Sequence, residues 1–158
     1  MPEPISVQVI QRIDEAASLY HRLVVLVGPA GAGKTAALRD VRDQTGGTLI
    51  NLNLELSRRM LDLTERQRLL QIPRLLQELV NSSPSEIVLL DNTEMLFATG
   101  LKQDPLRLFQ SLSRNKTVVV AWNGSVKDRH LRYAEPSHPE YRSYPVTDVL
   151  LAGPGVAE

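Results

Sequence analysis

The chain has 158 residues, no cysteine, and eighteen Lys plus Arg against eighteen Asp plus Glu. That length suits one domain able to bury a core without covalent staples, and the missing thiols exclude disulfides and thiolate-ligated metals. A balanced charge does not mark nucleic acid or a membrane surface as the main partner. The longest uncharged apolar run, Leu23 to Val27, is only a strand's length, and Met1-Pro2-Glu3-Pro4 lacks the regions of a signal peptide, so a soluble, cytoplasmic protein without membrane contact is expected.

Residues 1 to 6 read as a flexible lead-in, and Val7, Ile10, Ile13, Ala17 and Tyr20 recur at helical spacing as one amphipathic face. Residues 1–22 are therefore expected to deliver the chain to a core spanning 23–151. Leu23 to Val27 is a branched apolar run ended by Gly28-Pro29, which predicts a strand buried on both faces and hence flanking helices. Gly33 to Gln44 predicts a helix with Ala37, Leu38 and Val41 inward and Gly46-Gly47 as its stop, and Thr48 to Leu52 a second strand.

Between that strand and helix stands Gly28-Pro29-Ala30-Gly31-Ala32-Gly33-Lys34-Thr35, a complete GxxxxGKT (Walker A) sequence in the context this motif requires. Glycines let successive backbone N–H groups line one concavity around phosphate oxygens, and the helix N-terminus through Ala36 adds partial positive charge. Lys34 is expected to reach the β- and γ-phosphates of ATP, and the Thr35 hydroxyl to be a magnesium ligand.

From Asn53 to Asn81 the sequence is leucine-rich with helical period, with Leu69, Ile72, Leu76, Leu79 and Val80 on one side. Thr64-Glu65-Arg66-Gln67 has capping-box spacing, while Pro73 removes a donor, so two helices or one kinked helix are expected. Arg58, Arg59, Arg66, Arg68 and Arg74 are interleaved with Glu55, Asp62, Glu65 and Glu78. They read as a salt-bridged surface, with a partner or DNA-contacting face as the alternative.

Glu86 to Asp91 predicts the next strand, four apolar residues carrying a carboxylate to the sheet edge where Asp91 would hold magnesium. Asn92 follows it in place of the acidic residue a hydrolytic site usually carries. An amide aligns water but takes no proton, so either Glu94 acts as base or turnover is slow.

A helix from Asp104 to Arg114 and a strand from Thr117 to Trp122 continue the alternation, giving α/β architecture with a parallel sheet of about five strands and flanking helices. Asn123, at the end of that strand, reads either as a γ-phosphate sensor or as half of an Asn-Gly turn. Trp122 reads as packing rather than a stacking platform.

Val126 to Tyr133 is compatible with a helix, Val146 to Leu151 with a fifth strand, and 152–158 with a mobile tail. Of the late arginines, Arg132 and Arg142 are the best placed to complete a neighbouring subunit's site. Arg129, Arg132 and Arg142 could instead form the lid of a small-molecule kinase. His21, His130 and His138 have no ligand-spaced partners, so no structural metal is expected.

This motif order resembles the P-loop ATPases of the AAA+ and related signalling type over residues 20 to 151, reduced to the nucleotide-binding core without a helical lid. More specifically GPAGAGKT, NLNLELS, LTERQR, LLDNTEMLF and AWNG resemble the BrxF family, small P-loop proteins of type III bacteriophage exclusion (BREX) systems. That resemblance implies a bacterial cytoplasmic protein of phage defence. Its implied neighbours are a large ATPase, a DNA methyltransferase, a phosphatase-like protein and a helicase. It matches Gly28, Gly31, Gly33, Lys34 and Thr35 to the phosphate loop and Asp91 to the magnesium position. Asn92 departs from the acidic pair of active AAA+ enzymes. The reading is an oligomeric ATP-dependent switch with arginine supplied in trans, with a small-molecule kinase and a non-hydrolysing nucleotide-binding scaffold as alternatives, and any DNA contact falling to the assembly.

Overall fold

A computed structural model describes residues 4–146 and 149–156. Strands β1 (Leu23–Gly28), β2 (Thr48–Asn51), β3 (Ile87–Asp91), β4 (Thr117–Lys127) and β7 (Leu150–Ala152) form a parallel sheet in the order β2-β3-β4-β1-β7. Strands β5 (His130–Tyr133) and β6 (Arg142–Pro145) extend the far end of β4 as an antiparallel ribbon. The five-stranded parallel sheet with flanking helices agrees with the sequence expectation.

Period-two alternation sends side chains of the central strands into two cores. Leu23, Val25 and Val27 of β1, Val88 and Leu90 of β3, and Val118, Val120 and Trp122 of β4 face one layer of helices. These helices are α3 (Leu52–Met60), α4 (Glu65–Asn81) and α5 (Pro105–Leu112). Val24, Leu26, Leu89, Val119 and Ala121 face the other layer, α1 (Ile5–Ala16) and α2 (Lys34–Thr45). Each such fully buried Val or Leu contributes roughly 1.5–3 kcal/mol relative to exposure, which explains why the interior strands read as unbroken apolar runs.

Several expectations need correction. Helix α1 begins at Ile5, inside the supposed lead-in, and buries Val9, Ile13 and Ala16. Ala17 and Tyr20 are exposed instead, because at about 100° per residue a stripe shifted by one position turns onto solvent. Residues 1–3 lie outside the described set.

The break after β2 falls at residues 61–64, where Thr64 and Gln67 make the reciprocal capping box that starts α4. Pro73 sits inside α4 without ending it. Its missing N–H would orphan the Leu69 carbonyl four residues back, and Gln103 supplies the replacement, Nε2 donating to that oxygen at 3.0 Å. Leu69 itself is only half-buried, while Leu75 joins the inward face.

Val126 to Tyr133 is a β-hairpin, not a helix: Asp128 and Arg129 adopt φ of 52° and 61°, making a two-residue turn, and Val126 pairs with Leu131. Asn123-Gly124 is likewise strand, not turn. Leu150–Ala152 supplies the fifth parallel strand, Thr147 and Asp148 of the expected range lying outside the described residues.

The described part of the tail is docked. Gly155 N donates to Val27 O and Val126 N to Gly155 O, both at 2.9 Å, so residues 153–155 strap the base of the ribbon to β1. Ala157 and Glu158 lie outside the described residues. Two 3₁₀ turns, Glu94–Phe97 and Thr99–Leu101, follow β3, the first of them starting at Glu94.

Candidate functional site

Because β4 is inserted between β1 and β3, the C-terminal ends of three strands converge. Gly28 pairs with Asn123, Leu90 with Val120, and Asp91 with Asn51. The chain then leaves β1 through the glycine loop into α2. Gly31 and Gly33 hold φ of 80° and 89°, the left-handed region that a side chain strains. No side chain caps α2, so its first-turn N–H groups have neither intrahelical nor side-chain acceptors.

Between the loop and the ends of β3 and β4 lies a cavity of about 450 Å³. Ala30, Gly31, Gly33, Lys34, Thr35 and Ala36 form one wall, and Asp91, Asn92, Glu94, Ala121 and Asn123 the other. Gly28, Pro29 and Ala32, expected in the same binding loop, are not among the cavity's lining residues. The Gly28 carbonyl holds Lys34, Pro29 lines a neighbouring cavity, and Ala32 N donates to Pro29 O at 3.2 Å.

Lys34 is buried, and its Nζ donates to the carbonyls of Gly28 and Pro29, both at 2.7 Å. Burial pulls its ammonium below the ordinary lysine range, while the carboxylates of Glu94 and Asp91 act in the opposite sense. The Thr35 hydroxyl donates to Asp91 Oδ2 at 2.7 Å, and the other Asp91 oxygen accepts from Asn92 N at 2.9 Å. Across the cavity, Asn123 Nδ2 donates to Glu94 Oε1 at 2.7 Å.

Asn92 has φ of 54°, a conformation that Asn tolerates better than most residues, and its carbonyl accepts from Asn53 N at 3.1 Å. The turn thus holds a left-handed residue here, a conformation that Asn and Asp both tolerate. Glu94, two residues on, brings a second carboxylate to the cavity beside that of Asp91.

The arginines behave differently. Arg132 lies on β5 and Arg142 on β6, and neither lines this cavity; Arg129 lies in the hairpin turn. Among the described residues, these three arginines form no lid over the glycine loop. Arg58 and Arg59 both pair with Glu55, and Arg74 lies 3.9 Å from Glu78, whereas Arg68 Nε is buried with no hydrogen-bond partner among the described residues, so the salt-bridged surface holds for part of the cluster. Trp122 is fully buried, with its indole N–H donating to Arg132 O at 3.0 Å.

Among the described residues, no group of three or more His, Asp or Glu could hold a metal by itself, and no helix is long and apolar enough to cross a membrane. The Thr35 hydroxyl and Asp91 carboxylate fit magnesium bound jointly with phosphate oxygens and water, the manner in which that small, strongly hydrated ion is usually held.

Thr93 escaped the sequence reading. It is buried, and its hydroxyl donates to Ala121 O at 2.6 Å. A threonine after a strand end carries no periodic or motif signal that would single it out.

No family model matches the chain, and no curated protein does. Among solved structures, the chain is similar to one described as the structure of C. elegans PCH-2, with TM-score 0.43 and 15% identity. The match covers 98% of this chain and 41% of that one, so this chain spans about two-fifths of its length.

Proposed function

We propose that the chain is a P-loop NTPase with an AAA+-like core that binds ATP with magnesium at residues 28–36 and hydrolyses it to ADP and phosphate, acting as a switch. The observation that carries this reading is the convergence of Lys34, the Thr35–Asp91 pair and the Glu94–Asn123 pair on one cavity. Loop N–H groups and the α2 N-terminus would bind phosphate oxygens, and Lys34 would exchange its two loop carbonyls for them. Thr35 and Asp91 would hold magnesium, which supplies neutralisation of charge on the phosphates.

Glu94 has one carboxylate oxygen engaged by Asn123, leaving Oε2 to take a proton from water as it attacks. That assignment favours turnover over an inert scaffold, since Asn92 no longer has to supply the base. Arg142 or Arg132, absent from the cavity of their own chain, would complete the site of a second copy in a homo-oligomer.

Placement within a BREX assembly, beside a large ATPase, a methyltransferase, a phosphatase-like protein and a helicase, is supported by the sequence resemblance alone. Any contact with DNA would be made through that assembly.

Calorimetric titration with magnesium ATP, together with phosphate release, tests the reading. Lys34→Ala should weaken binding by about 1.5–3 kcal/mol, roughly ten- to a hundredfold, by removing a charged donor. Equal affinity in wild type and variant would overturn it. Arg142→Ala should lower turnover at unchanged affinity, and nucleotide should promote self-association.

A further inference from the structure

The chain leaving β3 has to do two things within three residues: end its pairing with β4, and bring a carboxylate back over the sheet edge. The β3–β4 ladder ends at Leu90 and Val120, so the next β4 carbonyl, that of Ala121, would face this side without a ladder partner. Thr93 supplies one, its hydroxyl donating to Ala121 O at 2.6 Å from a position only 2% exposed. A threonine at the start of a 3₁₀ turn would ordinarily spend its hydroxyl capping that turn, and here it makes no such cap. The left-handed Asn92 before it turns the backbone, and Leu96 N donates to Thr93 O at 3.2 Å to start the 3₁₀ turn that carries Glu94. At the other end of that turn, Phe97 stacks on Tyr133 with centroids 3.6 Å apart and meets the edge of Trp122 at 4.9 Å. The turn is thus fixed to β4 by one hydrogen bond at its start and by ring packing at its end.

We propose that Thr93 is a positioning residue for the reaction: its hydroxyl bond to Ala121 sets the height of Glu94 over the cavity and so holds the Glu94 carboxylate within reach of Asn123. The inference rests on the reading of this site as one that hydrolyses a nucleoside triphosphate only in calling Glu94 the base. The placement of Glu94 against Asn123 can be tested without turnover. Rotating or lifting the turn by an ångström would take the carboxylate off Asn123 and away from an attacking water, while leaving Lys34, Thr35 and Asp91 where they are.

The experiment uses the full chain in three forms: wild type, Thr93→Val, which keeps the shape and removes the donor, and Thr93→Ser, which keeps the donor. The first readout is the side-chain amide resonance pair of Asn123 in the free protein, assigned with Asn123→Asp and calibrated with Glu94→Gln. In Thr93→Val the pair should move toward its position in Glu94→Gln, and in Thr93→Ser it should return to the wild-type position. The second readout is phosphate release at saturating magnesium ATP. Thr93→Val should lower kcat by about tenfold or more, part of what a positioned general base contributes, with the dissociation constant changed less than about twofold. Thr93→Ser should restore most of the rate.

An Asn123 signal in Thr93→Val identical to wild type would overturn the proposal. If Thr93→Val and the smaller Thr93→Ala both fail to fold, the hydroxyl is a determinant of folding rather than of position, and the proposal is likewise overturned. Should wild type bind no nucleotide, the functional reading fails by itself, and the Asn123 signal still decides whether Thr93 places Glu94.

Discussion

The glycine loop between β1 and α2 and the base of the β4–β5 ribbon both depend on glycine, for opposite reasons. Gly31 and Gly33 hold left-handed backbone, and a Cβ at either would meet nothing within 4 Å. Gly124 has ordinary strand backbone, yet a Cβ there would stand 1.8 Å from the Arg132 carbonyl oxygen. One region uses glycine to adopt a conformation around a space that stays open. The other uses it to bring two backbones together so that Trp122 can bond Arg132 O and the ribbon's Tyr133 and Tyr144 can pack against Phe97 and Trp122. The loop thus borders open space, and the ribbon base is a closed joint.

The contrast breaks most visibly at Gly124. Gly124→Ala should lower the urea midpoint by an amount equivalent to about 1–3 kcal/mol and alter the near-ultraviolet dichroism of the single tryptophan, because strand backbone must move. Gly31→Ala meets only left-handed strain, roughly 1–2 kcal/mol, and should leave the tryptophan signal as it is. If the two variants were equally disruptive to that signal, open space and closed joint would not be distinct.

Asn92 sharpens the comparison at the junction of the two regions. Asn92→Val places a branched residue at φ of 54° and should cost at least about 1–2 kcal/mol, whereas Asn92→Gly should stay within about 0.5 kcal/mol. Denaturation of both variants checks this, and a large loss in Asn92→Gly would mean that the amide, not the backbone, is what the turn requires.

The smallest effect is confined to alkaline pH. Burial, with help from the charges of Glu140 and Glu94, pushes the Tyr133 hydroxyl up to about 12 from an ordinary value near 10. Between those values the unfolded chain loses the proton and the folded chain keeps it. The stabilisation is therefore whole below about pH 10 and lost as pH rises through about 12. Tyr133→Phe should match wild type at neutral pH and show a shallower alkaline loss. Tyr144, also raised by burial and by Asp104 beside it, keeps part of the slope in the variant.

Legibility differed along the same division. The placement of the glycine loop and of Asp91 beside Thr35 was legible because it follows from residue types at fixed local spacing, with the strand and helix beside them in periodic runs. Pro73 was misleading in isolation, since what keeps α4 continuous is a glutamine thirty residues away taking over the Leu69 carbonyl. The ribbon was misread as a helix because Val126 to Tyr133 has no strict alternation, and its turn rests on two non-glycine residues in left-handed backbone, Asp128 and Arg129. Residues 153–155 read as a loose tail in the sequence yet are docked in the fold, because glycine and proline signal mobility and close approach alike.

The sequence by itself determined the alternation of strands and helices, the two buried faces of the sheet, the conformation of the glycine loop and the carboxylate at the end of β3, all consequences of neighbours a few residues apart. Tertiary structure decided which carboxylate faces the cavity, what Asn123 holds, and where the arginines lie. Those outcomes depend on β4 being inserted between β1 and β3 and on bonds such as Thr93 to Ala121, which link residues far apart in the chain and leave no local pattern in it.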